Sequence, residues 1–355
     1  MSEKVYWISA YDNESDELLC AKLKNLLASE NLLDYIADQD ITAVKTHFGE
    51  SQKLGYVRPL YLKMLGETIK DLGGVPFLTE TSTLYKGNRS DAISHITHAQ
   101  IQGFDCASTG MPIIMADGLF GDQDHAVPIK GKIYSAVHIA ALFAKCNALV
   151  LVSHFTGHLA AGFGATLKNL GMGCASRKGK LRQHSTSKPE IIVKECTGCG
   201  TCVEWCPQEA ITLNDDLALI DSEKCIGCGE CLAMCRFNAV KYNGGATYED
   251  LQKNVVEHAM GMCSLFPDKS LFVNVLTRIS KDCDCMGHTF EKIIPDIGIL
   301  VSQDPVALDA ASLGLIEEKA GKSFAQLAHD IPYRFQLDYA DELGFGSQEY
   351  ELVKF

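Results

Sequence analysis

The chain has 355 residues and a formal net charge of −13, with 46% hydrophobic and 22% charged residues. This length and composition predict a packed globular protein of about two domains. The acidic balance speaks against nucleic acid or an anionic membrane as the main partner. The first residues show no secretion signal, and no apolar run is long enough to span a bilayer. We therefore expect a soluble, cytoplasmic protein.

Apolar β-type runs alternate with amphipathic stretches along most of the chain. Strands are predicted at 41–47, 75–80, 148–154, 270–277 and 297–303, and helices at 16–37, 59–71, 91–103, 136–145 and 306–320. Because continuous apolar strands alternate with helices, the pattern predicts an α/β fold with a mainly parallel sheet covered by helices.

Polar residues follow each of these strands. They are His47, Gly49 and Glu50 after the first, 80–83 (ETST) after the second, His154, Thr156 and His158 after the third, 282–285 (DCDC) after the fourth, and Asp304 after the fifth. Open α/β sheets bind ligands beyond the carboxyl ends of their strands, so these residues predict a shared crevice. We expect catalytic or binding roles for His47 and His154; the alternative is a core histidine bonded to a backbone carbonyl.

The stretch 154–173 (HFTGHLAAGFGATLKNLGMG) combines two histidines, five glycines and Lys168. Glycines before a helix leave backbone N–H groups free, which predicts an anion site there. The alternative is a loop that enters a helix, with glycines for close packing and a solvated lysine. The spacing matches neither the P-loop nor the dinucleotide fingerprint, and no flavin or nucleotide is predicted.

The segment 177–188 contains five basic residues and no acidic one. In an acidic protein, such a segment is either a solvated linker or a basic lip that attracts an anionic substrate.

Eight of the 15 cysteines form two matching C-x2-C-x2-C-x3-C runs. This is the spacing of bacterial ferredoxins with two [4Fe–4S] clusters, in which the fourth cysteine of each run binds the other cluster. The first cluster is assigned to Cys196, Cys199, Cys202 and Cys235, and the second to Cys225, Cys228, Cys231 and Cys206. Structural zinc sites, the alternative, would have C-x2-C pairs in place of these triplets.

The cysteine repeat defines a predicted α+β ferredoxin-like domain at 189–243. Polar segments flank it on both sides, at 177–189 and 244–251. We therefore predict that this domain is inserted into a discontinuous α/β body made of residues 1–188 and 244–355.

Cys283 and Cys285 form a C-x-C pair bracketed by two aspartates. Adjacent thiolates on an extended segment can bind one soft metal, with His158, His184 or Cys174 completing the coordination. The alternative is a pair of reduced, packed cysteines. The cysteines at 20, 106, 146 and 263 are expected to be inert core residues.

The chain resembles the domain-of-unknown-function family 362, fused to a ferredoxin. The motifs that carry this resemblance are VKTHFGE (44–50), the stretch from LKNLGMG (167–173) to SRKGK (176–180), DPVALDAAS (304–312) and DYADELGFGSQEYEL (338–352). The family is known mainly for iron–sulfur proteins. The resemblance therefore implies the architecture and the clusters, and it names no substrate.

A short stretch also resembles the nickel-pincer lactate racemases, through His158, Ala161–Gly162–Phe163, Lys168 and His184. In those enzymes the lysine anchors the cofactor, and the histidines serve catalysis and nickel binding. Ala165 and Thr166 depart from the racemase pattern, which has glycines at these positions. The resemblance implies that His158, Lys168 and His184 act together.

These features predict an iron–sulfur oxidoreductase. Electrons would pass through two [4Fe–4S] clusters to a crevice that holds a metal or an anionic small-molecule substrate, and Lys168 or a histidine would supply a proton. The expected partner is a low-potential electron donor or acceptor protein. One alternative is a non-enzymatic electron-transfer or cluster-delivery protein, and another is a racemase-like metalloenzyme.

Overall fold

The computed structural model describes residues 3–50, 55–84, 87–184, 188–206, 208–225, 230–237, 239–242, 247–286 and 291–355. The strands are β1 (Glu3–Ser9), β2 (Ile41–Lys45), β3 (Val75–Thr79), β4 (Asp124–Pro128), β5 (Ala136–Ala140), β6 (Ala148–His154), β7 (Thr156–His158), β8 (Gly162–Gly164), β9 (Pro189–Ile191), β10 (Ile211–Asn214), β11 (Leu217–Ile220), β12 (Val240–Tyr242), β13 (Ser270–Leu276), β14 (Gly298–Ser302) and β15 (Tyr350–Lys354).

The α-helices are α1 (Asp16–Ser29), α2 (Pro59–Asp71), α3 (Ala92–Ile101), α4 (Cys106–Thr109), α5 (Thr166–Gly171), α6 (Arg177–His184), α7 (Thr201–Glu204), α8 (Glu230–Met234), α9 (Tyr248–Ser264), α10 (Pro305–Ala320), α11 (Phe324–Leu327) and α12 (Phe335–Glu342). Two 3₁₀ helices are formed by Ala141–Lys145 and Val193–Glu195. None of the described helices is both long and apolar enough to cross a membrane.

A seven-stranded sheet in the order β15-β1-β14-β13-β6-β2-β3 forms the centre of the molecule. Its strands run parallel except for β14, which is antiparallel to β1 and β13. Every residue of β6 and β13 is buried, because helices and loops cover both faces of the sheet. The predicted α/β class with a mainly parallel sheet is confirmed.

The predicted helix at 136–145 is wrong. Its first half is strand β5, which pairs antiparallel with β4, and its second half is a 3₁₀ helix. Val137 and Ile139 of β5 are fully buried and alternate with half-buried residues, as expected for a strand. Ala136 and Ala140 are apolar as well, so the sequence alone does not show this alternation.

The cysteine-rich segment forms its own small structure. Strand β9 pairs antiparallel with β12, and β10 pairs with β11, around a core that includes Ile211, Ala218 and Val240. Helix α8 of this segment packs against α6. The β9–β12 register places Pro189 opposite Tyr242, so the two ends of the segment are neighbours.

Because these ends are adjacent, we predict that a chain in which a short Gly/Ser linker replaces residues 189–243 still folds. Closing so short a gap costs little loop entropy, and the central sheet uses no strand from the replaced segment. Circular dichroism and calorimetry should show native-like helix content and one cooperative unfolding transition. A chain without cooperative unfolding would contradict an independently folding body.

Candidate functional site

A cavity of about 240 Å³ lies beyond the carboxyl ends of β2, β3, β6 and β13. Seven of the candidate catalytic and metal-binding side chains predicted from the sequence line it: His47, His154, His158, Lys168, His184, Cys283 and Cys285. Gly49, Glu50 and Asp282 are not among the lining residues. The seven lining side chains come together because parallel strands end at the same edge of a sheet. Their chemical roles remain predictions.

Asp304 does not belong to this group. It follows β14, which is antiparallel, so it lies at the opposite edge of the sheet. There its carboxylate accepts hydrogen bonds from the N–H groups of Val306 and Ala307 and caps α10. Sequence alone could not separate it from the other polar residues, because strand direction is set by the pairing.

Helix α5 offers no anion site at its start. The N–H groups of Thr166 and Leu167 donate to the carboxylate of Asp309, at 3.0 and 2.8 Å. This carboxylate is fully buried, and burial raises the pKa of Asp309 to about 7. An internal acid therefore occupies the position that was expected to bind an external anion.

The part of the basic segment that the structure describes is neither a solvated linker nor a lip on the outside of the cavity. Arg177–His184 is helix α6, whose residues Lys180, Leu181 and Gln183 are buried. Lys180 and His184 line the cavity. Burial lowers the pKa of Lys180 to about 8, although Asp117 and Glu80 act in the opposite sense.

The sulfur atoms of Cys283 and Cys285 and a ring nitrogen of His158 lie within 4.8 Å of one another. A hydrogen bond from Cys285 lowers the pKa of Cys283 to about 6, and Lys168 acts in the same direction while burial opposes both. The Lys168 Nζ atom is 3.7 Å from the Cys283 sulfur. Two thiol groups and one imidazole at this separation are donors suited to a soft transition metal.

Gly157 explains how the β7–β8 hairpin reaches the cysteines. Its N–H donates to the carbonyl of Ser280 at 2.9 Å, and a Cβ atom added to it would be 1.9 Å from the Lys281 carbonyl oxygen. Only glycine permits this approach. The hairpin is thereby packed against the segment that leads into Cys283, which places His158 beside the sulfur pair.

His154 is bound at both ring nitrogens. Its Nδ1 lies 2.8 Å from the Asp284 carboxylate and its Nε2 lies 2.8 Å from the Thr277 carbonyl oxygen. Burial alone would lower the pKa of His154, but the charge and hydrogen bond of Asp284 raise it above its usual value. The ring therefore holds the Cys283–Cys285 segment in place and has no nitrogen left to offer a substrate.

His47 sits against a buried ion pair. Its Nε2 lies 2.8 Å from the Arg89 guanidinium, and Arg89 also contacts the Glu50 carboxylate. Burial, followed by the charge of Arg89, holds the pKa of His47 well below its usual range. The ring is therefore neutral near pH 7.

Several cavity residues were not singled out from the sequence. Lys45 is completely buried at the end of β2, and its Nζ lies 2.6 Å from Glu80 and 2.5 Å from Asn169. The sequence did contain a signal for this ion pair: a lysine ends one apolar strand, and an acid directly follows the next. Arg89 gave no comparable pattern, whereas Asp284 belongs to the 282–285 stretch that was singled out.

The first set of ferredoxin cysteines surrounds a second, smaller cavity. Cys196, Cys199, Cys202 and Cys235 all line it, although the fourth comes from the other run. The fourth cysteine of each run accepts a backbone hydrogen bond at its sulfur, Cys206 from Ala210 and Cys235 from Ala239. Cys206, Cys225 and Cys231 of the second set are described, whereas Cys228 lies outside the described residues.

Comparisons with known proteins agree with this architecture. The model of the family described as domain of unknown function (DUF362) matches residues 42–314. Thirty-six residues are 50% identical to a probable ferredoxin of Methanosarcina thermophila and 44% identical over the same length to ferredoxin-type protein NapF of Haemophilus influenzae. These matches cover 10% of this chain and 62% and 20% of the two relatives, less than two thirds of either. They support a ferredoxin-like, iron–sulfur segment.

Two solved structures share parts of the fold. The lactate racemase apoprotein from Thermoanaerobacterium thermosaccharolyticum is 11% identical, with a TM-score of 0.40 over 78% of this chain and 51% of its own. A structural-genomics protein from Thermotoga maritima is 9% identical, with a TM-score of 0.47 over 89% of this chain and 61% of its own.

The buried lysine of α6 leads to a prediction about pH. Folding lowers the pKa of Lys180 from 10.5 to about 8, so the folded state holds this proton more weakly than the unfolded chain. The free energy of unfolding should therefore rise by about 3 kcal/mol between pH 8 and 10.5 relative to the Lys180→Met variant. Denaturant titrations of both proteins across this range measure the difference, and parallel pH profiles would contradict it.

Proposed function

Because the chain belongs to the DUF362 family, whose description leaves the reaction open, we propose its function from the two cavities. The protein is an iron–sulfur oxidoreductase that passes electrons from a two-cluster ferredoxin domain to a metal-binding crevice in its α/β body. The observation that carries this proposal is the proximity of the Cys283 and Cys285 sulfur atoms, in a cavity that Lys168 and Lys180 also line.

The crossed set of Cys196, Cys199, Cys202 and Cys235 suits a [4Fe–4S] cluster. They line one small cavity in the crossed arrangement typical of two-cluster ferredoxins. The matching N–H···S bonds at Cys206 and Cys235 support an equivalent second site, held by the other four cysteines. When bound, such clusters supply electrons one at a time.

Helix α6 provides a short connection between the two parts. It packs against α8, the helix that contains Cys231. Its residues Lys180 and His184 line the crevice. This proximity supports electron transfer between the ferredoxin domain and the crevice within one chain.

The crevice itself supplies binding groups and charge. The thiolates of Cys283 and Cys285 are proposed to hold a soft transition metal, with His184 as a candidate nitrogen ligand. Burial lowers the pKa of His184 to about 4, so this ring is neutral at pH 7, as a metal ligand must be. His154 keeps the cysteine segment in position through Asp284.

Basic side chains around the sulfur pair suit an anionic substrate. Lys168 approaches Cys283, and Lys180 donates to Thr81 at 2.5 Å while its pKa of about 8 lies near neutral pH. A lysine in this range both attracts an anion and releases a proton readily. We propose Lys168 and Lys180 as the groups that orient the substrate and supply the proton that accompanies its reduction.

Metal and sulfide analysis of the anaerobically purified protein tests this proposal. We expect about eight iron and eight sulfide per chain, together with about one further metal atom. Cys283→Ser should lose the further metal and keep the ferredoxin absorption. The matched control Cys199→Ser should lose about half of the iron and keep the crevice metal.

Three other results would contradict parts of the proposal. Eight iron atoms with no further metal would favour an electron-transfer or cluster-delivery protein that docks a redox partner. Zinc without sulfide would contradict the ferredoxin domain. Loss of all iron from Cys283→Ser would mean that the crevice and the clusters are not separate sites.

A further inference from the structure

The imidazole of His158 is oriented by the turn that joins β7 to β8. Its Nδ1 accepts hydrogen bonds from the backbone N–H groups of Ala160, at 3.2 Å, and Ala161, at 2.9 Å. A ring nitrogen that accepts from N–H donors carries no proton itself, so the neutral ring has its proton on Nε2.

Histidines that bind metals have the opposite arrangement. The nitrogen that does not bind the metal normally donates its N–H to a carboxylate, a carbonyl or water. If His158 bound a metal through Nε2, its proton would have to move to Nδ1, where two N–H groups already point at it. Each hydrogen-bonding group left unsatisfied in so buried a site costs about 1–3 kcal/mol.

We infer that His158 is a hydrogen-bond donor in the crevice and not a metal ligand, because backbone N–H groups occupy the lone pair of Nδ1. This inference rests on the proposed function only in taking Cys283 and Cys285 as the metal-binding pair. With Nδ1 held by the turn, Nε2–H is the ring group that can donate to a thiolate or to an anion in the crevice. The remaining metal ligands come from His184, from solvent or from the substrate.

Two substitutions separate the two ring nitrogens. His158→Asn puts an amide oxygen near the position of Nδ1, so it can still accept from Ala160 and Ala161, but it has no group at Nε2. His158→Gln puts an amide near Nε2 that can donate an N–H. Neither amide is a usual ligand for a soft metal. If His158 is not a ligand, both variants should nevertheless keep the crevice metal, whereas Cys283→Ser should lose it.

The measurements are metal content after anaerobic purification and the thiolate charge-transfer absorption of protein loaded with Co²⁺. We expect this absorption band to shift in His158→Asn, because a hydrogen bond near the sulfur atoms is lost, and to stay close to wild type in His158→Gln. Loss of the metal from both His158 variants, as in Cys283→Ser, would overturn the inference.

An independent measurement covers the case in which wild-type protein binds no metal. Long-range ¹H–¹⁵N spectra of protein labelled with ¹⁵N-histidine identify the protonated nitrogen of each ring, and the His158→Asn spectrum assigns the His158 signals. A proton on Nε2 supports the inference even if the crevice metal is absent. A proton on Nδ1 overturns it whether or not a metal binds, so the two proposals fail separately.

Discussion

The parallel direction of β3, β2, β6 and β13 is the constraint on which the site depends. Parallel strands bring their carboxyl ends to one edge, and here four separate segments of chain end there with polar side chains. The antiparallel β14 shows the same rule, because Asp304, which follows it, lies at the opposite edge of the sheet and caps α10. Strand direction therefore sets the position of the crevice, and the segments that follow the strands supply its side chains.

Burying this many charged groups is costly, and three of the basic groups are each paired with an acid. Lys45 pairs with Glu80, Arg89 with Glu50, and His154 with Asp284. Such pairs rarely gain more from attraction than they lose by leaving water, so they are weak evidence for stability. A cluster of them around one cavity is instead typical of sites where charge has a chemical use.

The glycines of the 154–173 stretch have mainly structural explanations. Gly157 lets the hairpin approach the 280–285 segment, and Gly171 lets α5 approach the Val255 carbonyl of α9. The anion that a glycine-rich helix start usually attracts is replaced by the buried Asp309. His158 and Lys168 of this stretch line the crevice, where the proposed chemistry would take place, and the glycines allow the close backbone contacts.

The sequence by itself determined the α/β class, and it named seven of the side chains that line the crevice, although Lys45 and Arg89 were not among them. It also contained the ligand spacing of the ferredoxin segment. Apolar periodicity and ligand spacing are local, so they can be seen in one chain. Strand direction, the identity of the acid that caps α5, the strand at 136–140 and the burial of Lys180 were decided by tertiary structure. Most of these depend on a partner far away in the chain, such as Asp309 beside α5, whereas the strand at 136–140 depends on its pairing with the nearby β4. The ring nitrogen that carries the His158 proton depends on backbone geometry, which residue identity alone does not specify.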